Sequence, residues 1–159
     1  MFRWGTGDGA LIGVGVLLAT MIAQAALAQP AIVSYRVTNN AIEAPLTPIP
    51  GDPVRGKKTA LSRDAGNCQL CHAVPESGLP LMGNIGSSLA GAGARFTAGQ
   101  FRLRLADAAR LNPETVMPSY YRVEGLHDVA AAWRGKPILS AQQIEDVVAY
   151  LVSLKEPPK

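Results

Sequence analysis

The sequence predicts a small all-α domain whose helices are short and whose loops are long. Three observations carry that expectation. Helix-start signals stand at Asp52-Pro53, at Thr97-Ala98-Gly99-Gln100 and at Ser140 with Gln143. An apolar period close to 3.6 residues runs on from the second and third of them. The stretches 75–93 and 113–126 are broken by proline and glycine and hold no sustained period.

In chain order, the N-terminus reads as an export signal. Arg3 supplies a short positive region, residues 10–23 are uncharged and apolar, and Ala26-Leu27-Ala28 offers small residues for cleavage. Cleavage after Ala28 leaves Gln29 first, so residues 1–28 are expected to be a signal peptide and the mature chain periplasmic. The alternative is an uncleaved anchor, because residues 10–28 are nearly long enough to span a bilayer. With cleavage, no stable membrane anchor is expected.

Residues 29–51 form an N-terminal arm, with IVSYRV as a possible edge strand before Pro45, Pro48 and Pro50. The domain proper spans 52–159. Its first helix is expected from Pro53 to about Leu61. The second begins at the capping box of Thr97 and Gln100, carries Phe101, Leu105, Ala108 and Ala109 on one face, and ends at Asn112-Pro113. The third begins at Ser140, repeats Ile144, Val147, Val148, Leu151 and Leu154, and stops before Pro157-Pro158.

The bulk numbers bound the function. The chain has 159 residues, 48% of them apolar and 17% charged, which suits one domain with a core. A formal charge of +3 without a Lys/Arg run gives no reason to expect a nucleic-acid partner. So few helices with such long loops need something large at the centre.

The stretch GNCQLCHAV, residues 66–74, supplies it. It holds both cysteines, Cys68 and Cys71, followed at once by His72. Cys-x-x-Cys-His is the attachment signature of c-type haem. Two thiols three residues apart on a helical turn can each form a thioether to one porphyrin vinyl group. The next residue then lies under the ring, where its imidazole can bind iron. One such motif means one covalent haem c. A thiol–disulfide site would sit beside a βαβ pattern, which is not visible here. A structural zinc site would need four ligands, reachable only by adding the distant His127 at an odd spacing.

Three residues are candidates for the sixth iron ligand: Met82, Met117 and His127. Met117 lies 45 residues beyond His72 in a proline-punctuated loop, and Pro118 limits the entropy lost on ordering it. Met82 is ten residues from His72, a short path to the far face, and reads as a loop or pocket residue. His127 beside Asp128 reads as a surface histidine. Met117 is therefore the expected ligand. Met/His coordination raises the reduction potential and closes the iron, which suits electron transfer.

Longer segments carry a resemblance. IEAPLTPIPGDPVRGKK (42–58), GNCQLCHAVP (66–75), GNIGSSLAG (83–91), LNPETVMPSYY (111–121) and GKPILSAQQIEDVVAYLVSLK (135–155) resemble the SoxX family. These are cytochrome subunits of SoxAX, the L-cysteine S-thiosulfotransferase of bacterial sulfur oxidation. The resemblance implies a cytochrome c-like domain whose first and last helices pack together, with Gly56 at the crossing. It implies haem on Cys68 and Cys71, axial ligands His72 and Met117, and a heterodimer with a SoxA-type haem subunit. The SoxYZ carrier would supply the reacting cysteine, and a soluble cytochrome c would receive the electrons. This chain would hold no catalytic residue of its own. The competing expectation is a stand-alone periplasmic cytochrome c carrier. A carrier has no need of the arm at 29–51, which is read as draping over a partner.

Tyr120, Tyr121, Trp133 and Arg134 are possible partners of the haem carboxylates, with no feature to choose among them. Glu145 and Asp146 sit early in the last helix, where acids favour the dipole.

Overall fold

The computed structural model describes residues 32–157 other than Ser77 and Pro80. The expected signal peptide and its cleavage site lie outside them. Four helices form the frame: α1 (Pro53–Leu61), the single turn α2 (Ala92–Arg95), α3 (Ala98–Ala106) and α4 (Ala141–Ser153). Short 3₁₀ turns stand at Cys68–Leu70, Ala108–Arg110 and Ala131–Trp133.

The expected caps are in place. The Asp52 carboxylate accepts from the Arg55 amide at 2.8 Å, with Pro53 opening α1. Thr97 with Gln100 and Ser140 with Gln143 each close a reciprocal capping box. The helix that Thr97 opens is shorter than expected: α3 stops at Ala106, short of Asn112. Asp107 leaves helical geometry at φ −151°, and its carboxylate accepts from the Ser119 hydroxyl at 3.3 Å. An acid at a helix C-terminus opposes the dipole and favours this exit.

The core lies between α1, α3 and α4. Ile144, Val147, Val148 and Leu151 of α4 pack against Phe101, Leu103 and Leu105 of α3, with Tyr120, Tyr121 and Leu139 closing the cluster. Helices α1 and α4 cross closely, as the resemblance implies. A Cβ on Gly56 would collide with the Asp146 carbonyl, so only glycine permits the crossing.

The arm differs from its reading as an edge strand. Residues 32–37 take no strand, and an isolated bridge joins Thr38 and Ala41. Ala41, Ile42 and Leu46 are instead buried in this domain's own core. A carboxylate holds them there. Glu145 accepts from Arg102 Nε at 2.7 Å, from Arg102 Nη2 at 2.9 Å and from the Leu46 amide at 2.8 Å. Arg102 Nη1 donates in turn to the Ile42 carbonyl at 2.5 Å. Both side chains are 6% exposed.

Asp146, the next residue, ties α1 to α4. It accepts from Arg55 Nε and Nη2, both at 2.8 Å, and from the Asp52 amide at 2.9 Å. The two acids thus have specific partners and are not explained by the helix dipole. Burial pushes the Asp146 carboxyl up, but hydrogen bonds from Arg55, Asp52 and Gln142 with the Arg55 charge outweigh it. The net effect holds the carboxyl below its ordinary value.

Candidate haem site

The site grows out of the end of α1. After Ser62 the chain reverses: the Gly66 amide donates to the Thr59 carbonyl at 3.0 Å and Asn67 to Ser62 at 2.9 Å. Asn67 sits at φ 47°, a left-handed conformation that asparagine tolerates better than most residues. The buried Tyr120 hydroxyl clamps this reversal, donating to the Gly66 carbonyl at 2.7 Å. Cys68 then starts a tight turn, with the Cys71 and His72 amides both donating to its carbonyl, at 3.2 and 2.9 Å.

His72 is held from its outer side. Its Nδ1 lies 2.6 Å from the Ser87 carbonyl oxygen. A carbonyl can only accept, so Nδ1 carries the proton and Nε2 keeps the lone pair a metal would use. A Cβ on Gly86 would run into the imidazole ring, so glycine here lets the loop close against it.

Met117 is presented by a folded loop. The Asn112 side chain accepts from the Glu114 amide at 3.1 Å, the Thr115 amide donates to the Asn112 carbonyl at 3.1 Å, and Met117 donates to Thr115 Oγ1 at 3.2 Å. Beyond it, the Tyr120 amide donates to the Leu105 carbonyl at 2.9 Å, which pins the loop to α3. His72 and Met117 line the same cavity, about 270 Å³, with Leu89, Phe96, Phe101, Leu105 and Leu151 in its walls. The cysteines sit on the turn immediately before His72 and are not joined to each other.

The donor set fits a thioether-linked haem: two free thiols stand on the turn that leads into His72. Burial pushes the Cys68 thiol up to about 11, as an apolar setting does. A thiol to be consumed in a thioether can sit in an apolar wall. No group of three or more His, Cys, Asp or Glu able to hold a metal ion occurs among the described residues.

The other candidates lie elsewhere. The Met82 sulfur accepts from the Val74 amide at 3.2 Å, which occupies it locally. His127 is exposed and outside the cavity wall. Tyr121 accepts from the Val33 amide at 2.8 Å, Arg134 donates to the Val129 carbonyl at 3.2 Å, and Trp133 is exposed. None of Tyr120, Tyr121, Trp133 and Arg134 lines the cavity. The cations in its wall are Arg95 and Arg104, which sequence reasoning missed. The signal was available: Arg104 falls one turn after Phe101, on the face that Phe101 and Leu105 share.

No protein-family model matches the chain, and no curated protein does. Among solved structures it is similar to a chain of the crystal structure of SoxXA from P. pantotrophus. The TM-score is 0.73 and the identity 38%, over 80% of this chain and 99% of that one. Agreement in both sequence and fold, across nearly the whole of the solved SoxX chain, means that this chain belongs to the SoxX family, with its all-α, cytochrome c-like fold.

Proposed function

We propose that this chain is a monohaem c-type cytochrome, the electron-accepting subunit of a periplasmic SoxAX complex. The observation that carries the reading is the cavity shared by His72 and Met117, beside the cysteine turn, in a chain of the SoxX family. Cys68 and Cys71 would hold haem c through thioethers, and His72 and Met117 would bind its iron. When bound, that group takes up and releases one electron at a time. The chain's own residues do the rest. Ser87 fixes the tautomer and orientation of His72. The 112–117 turns present a neutral sulfur donor, which favours a high potential and a closed iron. Phe96, Phe101, Leu105 and Leu151 give the cavity an apolar wall.

The bond-forming chemistry would lie on a SoxA-type haem subunit. There thiosulfate and a cysteine thiol of the SoxYZ carrier would join through a new S–S bond, the thiol losing its proton and the pair losing two electrons. This chain would accept them singly and pass them to a soluble cytochrome c. The arm does not by itself separate this reading from a stand-alone carrier, because its Ala41, Ile42 and Leu46 serve this domain's own core. Family membership favours the complex, and so does the surface beside the cysteines.

Leu70, Leu81, Met82 and Ile85 are exposed there. Their segments touch: the Gly83 amide donates to the Gln69 carbonyl and the Gly86 amide to the Cys71 carbonyl, both at 2.8 Å. Between Asp64 and Arg95 the charged residue is Glu76, which pairs with Lys57 at 2.5 Å. An exposed apolar face beside the cysteine turn suits a lasting partner such as the SoxA-type subunit.

Residues 1–28 would be removed on export, leaving 29–51 as a leading segment whose Ala41, Ile42 and Leu46 pack into the core of the cytochrome domain that 52–159 continues. Among the described residues no helix is long and apolar enough to cross a membrane. The test combines the haem-loaded mature protein with a haem-loaded SoxA-type subunit, SoxYZ and thiosulfate. Reduction of this chain's haem that requires all three supports the proposal. Reduction by soluble donors alone, with no response to the three components, favours the stand-alone carrier.

A further inference from the structure

Arg104 is a half-buried cation with no carboxylate partner among the described residues. The ion pairs there use Arg55, Lys57, Arg102 and Arg122. Arg104 makes one hydrogen bond, from Nη1 to the Gln100 carbonyl at 3.2 Å, within its own helix. A guanidinium has five N–H donors, so most of its donor capacity is unspent. Its position is nonetheless fixed. The guanidinium carbon lies 4.1 Å from the Phe96 ring centroid, and Phe96 packs edge-on against Phe101 at 5.6 Å. All three side chains line the cavity of His72 and Met117.

A charge kept partly out of water without a counter-ion is costly, and burial pushes the Arg104 guanidinium down from its ordinary value. An anion in the cavity would relieve that cost. Arg95 lines the same cavity, but its side chain is exposed and donates from Nη2 to the Ser88 carbonyl at 2.7 Å, so water meets its remaining donors. His72 is the remaining titratable group in the wall, and its Nδ1 proton is committed to Ser87.

We propose that Arg104 is the anion-binding residue of this cavity and pairs with a carboxylate side chain of the haem held there. The inference rests on the haem reading above. A planar guanidinium matches a carboxylate in a bidentate fork, and stacking on Phe96 lowers the entropy lost in forming it. A cation at that place does two things. It keeps the carboxylate ionised, and it favours the form of the centre that has gained an electron.

The experiment is potentiometric titration of the haem-loaded mature protein, from pH 5 to 8, for wild type, Arg104→Gln and Arg104→Lys. Arg104→Gln is expected to lower the midpoint potential by about tenfold in the equilibrium constant, ~59 mV for one electron. A new pH-dependent step should also appear, with the potential falling as pH rises. The carboxylate, no longer held ionised, then gains its charge within that range. Arg104→Lys should restore most of the potential, since the charge returns. If Arg104→Gln does not accumulate, Arg104→Met gives the same measurement while keeping an apolar stem over Phe96.

Haem-loaded Arg104→Gln or Arg104→Met with the wild-type potential and pH profile would overturn the inference and leave the haem reading standing. Arg104→Lys falling as far as Arg104→Gln would also overturn it, by assigning the effect to packing on Phe96. Wild-type protein that carries no covalent haem would sink the haem reading itself, and this inference with it.

Discussion

His72 and Ser87 are locked together: the imidazole Nδ1 stands 2.6 Å from the Ser87 carbonyl oxygen, and Gly86 lies against the ring. That contact decides the tautomer and the aim of the ring before any metal arrives. The expected consequence is strict intolerance at Gly86. Gly86→Ala should displace the ring or the loop and cost about 1–3 kcal/mol, as overpacking does. Denaturant unfolding and the haem absorbance spectrum check this together. Wild-type values for both would mean that the loop yields freely.

Glu145 should matter for stability far more than an acid in a helix's first turns would. Removing it leaves Arg102 buried without its partner, and breaking such pairs costs about 3–5 kcal/mol. Glu145→Ala should therefore unfold at much lower denaturant, and proteolysis should reach the 41–46 segment first, because Leu46 loses its acceptor. The double change Arg102→Met with Glu145→Met should recover much of the loss, since no charge is then stranded.

Asp146 sets a dependence on acid. Its carboxyl is held below its ordinary value of 3.8, so the ionised form stabilises the fold. That stabilisation is complete at neutral pH and above the unfolded value. It is lost as pH falls below about 4 and through the lowered value. Stability of Asp146→Asn measured against pH should be lower at neutrality and flatter in acid. A parallel acid response in wild type and variant would assign the effect to other carboxylates.

The apolar face beside the cysteines should govern association with a SoxA-type subunit. Leu70→Asp with Ile85→Asp is expected to weaken the complex at least about tenfold, because charges would be desolvated at a neutral contact. Val54→Asp, on exposed α1, should leave binding unchanged. Wild-type affinity should respond little to salt, since few charges meet there. A steep salt dependence, or full binding by the Leu70/Ile85 variant, would place the interface elsewhere.

Much of the frame was legible because its signals are local. Asp52, Thr97 and Ser140 act within one helical turn, and Pro53 marks its own position. The cysteine pair and His72 are adjacent, so their chemistry is readable without a fold. The features that escaped depend on distant partners. Glu145 and Asp146 are one pair of acids in sequence, yet their meaning comes from Arg102, Leu46, Arg55 and Asp52. Segment 41–46 looks like part of an arm because Pro45, Pro48 and Pro50 exclude regular structure around it, but burial needs no regular structure. The end of α3 at Asp107 depends on Ser119, beyond the Met117 loop. The place of Arg104 in the cavity wall escaped because a cation on an apolar face looks like a solvated edge until the cavity beneath it is seen.

The central claim is that His72 and Met117 close the two faces of one covalently held haem. Carbon monoxide added to the reduced, haem-loaded mature protein at neutral pH tests it most directly, with Met117→Ala and Met82→Ala alongside. Wild type and Met82→Ala are expected to show no fast spectral change, and Met117→Ala to bind promptly and completely. Prompt binding by wild type, or a Met117→Ala protein as inert as wild type, would contradict the claim.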